Sequence, residues 1–381
     1  MIKMLFTGDF CPIGPVEQIV LNGDLGRIVA IFEDVLPVAK QSDYLIVNLE
    51  CPLTLSQSPI EKAGPNLRAD SKTVVLMKNL GVDLAAMANN HIYDQGLRGL
   101  KDTLETCRAH GIATVGAGET LADAQQFHVA TIKGKSIAFV NFAENEFGNA
   151  TSKRGGANPL DIVDNTRQIK LARQEAEAVI VIIHGGHEHF HYPSPRMVKT
   201  YRFFAEQGAT AIIAHHPHCI SGYEIYGGVP IFYSLGNFLF SLDRDFPGWH
   251  TGYMVQLQIE STGNLKFSII PYSQCKESIS VRLLKDIDHV KFKKELDDLS
   301  SPIATSELLI EIWENYAKQR GNSYAYSLSP MSKQIKQVLG KLGASRFFLP
   351  RLYMLNLLNH LRCESHRDLM LQSLSKWIEE N

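Results

Sequence analysis

From Ala209 to His218 the chain runs small and apolar residues straight into three histidines within four positions. The apolar part reads as a short buried strand. Pro217 cannot donate to a ladder, so the strand breaks there and the histidines fall on the loop. A strand fixes the backbone, and a loop leaves imidazole nitrogens free to converge on an ion. Such a cluster makes a metal site only if other strand ends supply partner ligands.

Four other apolar runs end in the same way. Ile2 to Phe6 closes on Thr7-Gly8-Asp9. Tyr44 to Asn48 leads to Glu50, and Pro52 ends it. Val82 to Ala88 meets Asn89-Asn90-His91, and Ala178 to Ile183 meets His184. Between them lie helical patterns at Val16–Leu36, Lys72–Leu80, Leu97–His110, Asp161–Ala176 and Ser194–Gln207. Two hairpins turn at Gly134 and at 261–264. Buried strands alternating with amphipathic helices predict a layered α/β domain, with helices flanking the sheets. In such domains ligands bind at the carboxyl ends of strands, where all five polar clusters fall. The polar loop from Ser56 to Ala69, with Pro59, Gly64 and Pro65, is placed over that end.

Each residue also has a plainer reading. Asp9 alone is a turn or cap residue. Glu50 is a solvated loop acid, one of Asn89 and Asn90 caps a helix, and His91 is a satisfied core histidine. His187, His189 and His191 are loop residues, and His215 supports a neighbour rather than ligating. Recurrence at five strand ends shifts the weight toward ligands. Two nearby divalent ions need a bridging carboxylate plus separate ligands. Such a pair activates water and holds a phosphoryl or carbonyl oxygen. Mixed oxygen and nitrogen donors suit Mn, Zn or Fe better than Mg or Ca.

At 381 residues the chain exceeds one ordinary domain. From about Lys285 its character changes to charged and Leu-rich helical segments, which divides it into 1–280 and an all-α 281–381. There, the stripe from Phe347 to Leu361 reads as core, ahead of a partner or membrane face. A formal charge of -2 leaves no footprint for nucleic acid. Six scattered cysteines, with no CxxC pair, predict free thiols in a reducing compartment. The apolar stretch at the N-terminus is too short for a signal segment, so a cytoplasmic location is expected.

Seven blocks carry a resemblance: Thr7-Gly8-Asp9, Asn48 to Thr54, Asn89 to Gly96, Gly116-Ala-Gly118, His184 to Glu188, His215 to His218 and Tyr233 to Phe238. In this order they resemble the poly-γ-glutamate capsule-biosynthesis (CapA-type) family, over roughly the first 245 residues. That family is related to the calcineurin-like metallophosphoesterases. The resemblance implies a four-layer α/β/β/α sandwich and a centre of two divalent metal ions. It implies that Asp9 and His218 bind the first ion, that Glu50 bridges, and that Asn90, His184 and His216 bind the second. His91 becomes the acid that protonates the leaving group, with Asp94 beside it in the catalytic set. Asn48, Glu188 and Asn237 become substrate contacts.

Two departures stand out. Cys11 occupies the place of a histidine ligand, so it either ligates or leaves the first site weaker. Gly185 and His189 alter the block after His184. The implied function is a metal-dependent phosphoesterase-type hydrolase in capsule or other cell-surface polymer biosynthesis, acting on a small molecule or a polymer. The alternatives are a γ-glutamyl amide hydrolase or transferase, and a non-catalytic scaffold. The scaffold would dock through its C-terminal helices to a membrane-bound polymer synthase and so lie peripheral to the membrane.

Overall fold

The computed structural model describes residues 1–242, 244, 246–260, 263–327, 338, 351–362, 366–370, 373–374 and 378. The chain divides into two compact units, Met1–Ile310 and Glu311–Asn381.

The first unit is a mixed α/β structure with two main sheets. One holds β1 (Ile2–Cys11), β2 (Tyr44–Leu49), β3 (Leu84–Ala86) and β4 (Ala113–Val115) in parallel order. On its other side β14 (Thr251–Ile259), β15 (Leu265–Gln274) and β16 (Val281–Leu283) continue antiparallel from β1. The second sheet runs β11 (Tyr223–Tyr226), β12 (Val229–Phe232), β10 (Ala211–His215), β9 (Ala178–His184), β7 (Lys135–Ala143) and β6 (His128–Ile132). Its four central strands are parallel, and the hairpin partners β6 and β11 close its edges antiparallel. A small ribbon pairs β5 (Ala117–Gly118) with β8 (Gly156–Ala157).

Alternation along each strand stacks the layers, because successive side chains point to opposite faces. In β1, Met4 and Phe6 face the other sheet while Leu5 faces helices. In β9, Ile180 and Ile182 enter the same inter-sheet core, while Val179, Val181 and Ile183 pack under helices. The first sheet is covered by α1 (Pro15–Leu21), α2 (Leu25–Ala30), α4 (Val74–Leu80) and α5 (Gly96–Ala109). The second is covered by α7 (Ile162–Glu175) and α8 (Pro195–Glu206). The result is helix, sheet, sheet, helix. Two short helices, α3 (Leu36–Lys40) and α6 (Leu121–Ala124), lead into β2 and β6. Phe292, Leu296 and Leu299 of α9 (Asp286–Ala304) join the inter-sheet core.

Several elements differ from the sequence reading, among them the strand β16 inside the stretch 281–381 expected to be all-α. The helix expected over Val16–Leu36 is broken after Leu21. Gly23 takes φ 68° and Asp24 caps a new helix by accepting from the Arg27 amide at 3.0 Å. The short strand β13 (Asn237–Phe240) was not expected, and it pairs parallel to β1. Farther along, α10 (Ser306–Ser327) and, in the second unit, α11 (Arg351–Arg362) are helical. The apolar side chains described on α11 are exposed or half-buried rather than core. The 347–350 part of the expected stripe lies outside the described residues.

Candidate metal centre

The site forms where the carboxyl ends of β1, β2, β9 and β10 meet. Thr7-Gly8 marks a register shift between β1 and β2, after which Asp9 lies between Asn48 and Asn237 on the neighbouring strands. The Asp9 amide donates to Gly236 O at 2.9 Å. A Cβ on residue 8 would collide with that same oxygen, so this crossing requires glycine. Across the second sheet His184 and His215 are register partners.

The loop after β10 is held in an unusual conformation. His216 and His218 have φ of 103° and 57°, a left-handed region that L-residues avoid. Such residues cost about 1–3 kcal/mol each and concentrate at functional sites. Pro217 stands between them, and both imidazoles are buried.

Glu50 is the centre of the cluster. Its Oε1 lies 3.4 Å from His218 Nε2 and 3.8 Å from His184 Nε2. The ligand atoms of Glu50, His216 and His218 lie within 4.8 Å of one another, and so do those of Asp9, Glu50 and His184. Glu50 is common to both groups. Both its oxygens are fully buried and accept no hydrogen bond. A buried carboxylate without hydrogen bonds is costly unless a cation meets it. The cluster therefore fits a divalent ion by its donor chemistry, with carboxylate and imidazole as the first candidates for ligands. These groups do not by themselves divide His216 from His218 between two ions.

Burial and the neighbouring charges move these groups in different directions, and they put Asp9, His184 and His216 in their ligating forms. Burial, followed by the repulsion of neighbouring His216, keeps His184 well below the usual histidine range. Burial next to His218 lowers His216 to about 4. Both are then neutral near pH 7. Burial also pulls His218 down, but the Asp9 carboxylate and the Asn237 oxygen outweigh it and raise it. Asp9 goes the other way: burial is overcome by His215 and His218, and its carboxyl falls well below the usual range. Burial and the nearby Asp9 charge push Glu50 well above.

Asn89 and Asn90 have different tasks. Asn89 donates to Leu49 O at 2.7 Å and accepts from the His91 amide, which fixes the loop. Asn90 Oδ1 lies 3.1 Å from His184 Nε2. His91 Nδ1 lies 2.6 Å from Asp94 Oδ2. Asp94 is fully buried; its Oδ2 also accepts from the Leu67 amide, and its Oδ1 binds the Lys62 ammonium. His91 faces a cavity of about 280 Å³ whose lining includes Lys62, Asn90, Glu188, His218 and Trp249. Larger grooves elsewhere on the surface do not touch these residues.

Two residues expected as substrate contacts, Asn48 and Asn237, are hydrogen-bonded within the cluster. The Asn48 amide donates to Asp9 Oδ1 at 2.8 Å and lies 3.2 Å from His184 Nδ1. Asn237 Oδ1 accepts from His218 Nδ1 at 2.9 Å, and its amide donates to the His218 and Trp249 carbonyls. Both are buried, and their amides orient Asp9 and His218. Glu188 is exposed on the cavity rim, where a substrate contact belongs. His215 Nδ1 lies 3.2 Å from Asp9 Oδ1, a supporting position. Cys11 is buried with its thiol against Cys51, and neither ligand group includes it.

Two residues were missed. Lys62 has a side chain only 4% exposed and touches both Asp94 and, at 3.3 Å, His91 Nδ1. A lysine in a polar loop gives no periodic signal; only the placement of that loop over the site pointed toward it. Asn141 accepts from the Ala88 amide at 2.7 Å and donates to Ile182 O, tying the loop after β3 to β9. Gly116 leaves room for it, since a Cβ there would run into Asn141 Oδ1.

Residues 3–242 match the model of a family described as bacterial capsule synthesis protein PGA_cap. A PGA biosynthesis protein CapA from Bacillus subtilis (strain 168) is 32% identical over 247 residues, covering 64% of each chain. A capsule biosynthesis protein CapA from Bacillus anthracis is 30% identical over 279 residues, covering 71% of this chain and 67% of that one. The match thus spans about two thirds of either relative's own length. A crystal structure of a hypothetical protein from Thermus thermophilus aligns at TM-score 0.45 and 17% identity, covering 71% of this chain and 99% of that one.

Proposed function

The chain belongs to the bacterial capsule synthesis protein PGA_cap family, and on that premise we propose that it is a metal-dependent hydrolase of the phosphoesterase type serving capsule or other cell-surface polymer biosynthesis. One observation carries the reading: Glu50 is buried among three imidazoles and neither of its oxygens has a hydrogen-bond partner. The helix, sheet, sheet, helix layering supports kinship with the calcineurin-like metallophosphoesterases.

Asp9, Glu50, Asn90, His184, His216 and His218 would hold the ions, with Mn, Zn or Fe favoured by the donor set. Bound there, divalent ions supply Lewis acidity to a phosphoryl oxygen and to water. The chain's own residues do the rest. His91 gives a proton to the departing oxygen. Asp94 accepts a hydrogen bond from His91 Nδ1 and so fixes which ring nitrogen is presented. Lys62 and the Leu67 amide hold Asp94. Glu188 contacts substrate from the rim.

A second reading has its own observation. Cys11 stands apart from the ligand groups, which weakens one ion site and favours a non-catalytic scaffold attached to a membrane-bound synthase. Hydrolysis of p-nitrophenyl phosphate and bis-p-nitrophenyl phosphate with added manganese separates the two. The hydrolase turns over at least one ester, and His91→Ala loses about 10²-fold or more while keeping its metal. A metal-loaded protein inert toward both esters sinks the hydrolase. Turnover of a γ-glutamyl amide instead would move the reaction to that bond.

A further inference from the structure

The formal charge of -2 hides a partition. Between Glu314 and Glu364 the sequence contains eight lysines and arginines and no aspartate or glutamate, so this stretch is +8 and the remaining chain -10. Charge asymmetry of this kind marks a polyanionic partner or an anionic surface.

One of the two described helices that enter this stretch, α11, says which. Its spacing puts Tyr353, Met354, Leu357, Leu358 and Leu361 on one face, with Asn356 and Asn359 opposite, His360 at the margin and Leu355 outside the face. Tyr353, Leu358 and Leu361 are each 45% exposed. The sequence places Arg351 and Arg362 at its two ends. Twelve residues span about 18 Å, against about 30 Å for a bilayer's hydrocarbon core. Among the described residues no helix is long and apolar enough to cross a membrane.

We propose that α11 lies on an anionic lipid surface, its apolar face in the acyl boundary and the basic stretch against the headgroups. A soluble polyanion would use the cations but has nothing for five apolar side chains. A protein groove would need its acids at fixed points, whereas these cations are spread irregularly over the stretch. A bilayer with acidic lipids takes both the apolar face and the dispersed charge. This inference is independent of the chemistry at Glu50.

Co-sedimentation of the full chain with vesicles tests it. Phosphatidylcholine vesicles with about a third phosphatidylglycerol should bind it at low salt and release it at high salt. Pure phosphatidylcholine should bind at least about tenfold more weakly. Arg351→Gln with Arg362→Gln should weaken binding about 25-fold, at roughly fivefold per basic residue. Leu357→Asp with Leu358→Asp should weaken it to a similar extent. An unchanged thermal transition in the charge variant excludes misfolding as the cause. Equal binding to both vesicle types, or none to either, overturns the proposal. So does binding to soluble polyglutamate that the Leu variants leave intact, which would assign the stretch to a polyanion. Binding that needs an added membrane protein would assign it to a protein partner and overturn it likewise.

Discussion

His91 Nδ1 and Asp94 Oδ2 are 2.6 Å apart, and the carboxylate that makes this contact is fully buried. The pair fixes the imidazole at the cavity wall. Asp94→Asn leaves a neutral amide that accepts more weakly and can turn its NH₂ toward the ring. The variant should keep its metal while kcat falls about 10²-fold and KM stays within a few-fold, measured on p-nitrophenyl phosphate.

Lys62 holds the other Asp94 oxygen from a loop without regular structure. Lys62→Met strands a buried carboxylate, so it should cost about 3 kcal/mol in urea unfolding. It should also lower kcat about tenfold by freeing Asp94. Lys62→Arg restores the charge and should recover most of both. Equal kcat in the methionine variant and wild type would remove Lys62 from the site.

Glu50 gives a signed pH dependence in metal-free protein. Its folded pKa is raised above the unfolded value by burial and by Asp9. Its contribution is therefore fully present below about pH 4.3 and is lost as pH rises toward the folded pKa. Metal-free Glu50→Gln should match wild type in thermal midpoint near pH 4 and exceed it at pH 7. Added manganese should reverse the order, because only wild type gains binding energy in the folded state.

Gly8 lets β1 run against the Gly236 carbonyl. Gly8→Ala must push the two apart, which should cost about 3 kcal/mol. Because Asp9 follows directly, bound metal should fall along with stability. The pair can be read by urea titration and metal analysis of the same sample.

The layered fold was legible because the strands carry their burial in their composition. Ala178–Ile183 is apolar at every position, and it is buried on both faces. The strand-end donors Asp9, Glu50, Asn90, His184, His216 and His218 were visible for the same reason: each follows a run that could be recognised. Asn48 and Asn237 were read as substrate contacts, and a sequence shows which residues are near a site but not that their amides bond to Asp9 and His218. Their register beside Asp9 turns them inward. Lys62 belongs to a segment with no period, so only three-dimensional closure brings it to Asp94. The exposure of α11 was equally hidden, since an apolar stripe reads the same whether its cover is protein or something else.

The central claim is that Glu50 and the imidazoles around it hold divalent metal. Elemental analysis of protein purified without chelator, wild type beside Glu50→Gln, addresses it directly. The account predicts about one to two equivalents of a transition metal per wild-type chain and well under a tenth of that in the variant, with both folded. Metal-free wild type that takes up no manganese or zinc on dialysis, or a Glu50→Gln variant that keeps a full complement, would contradict it.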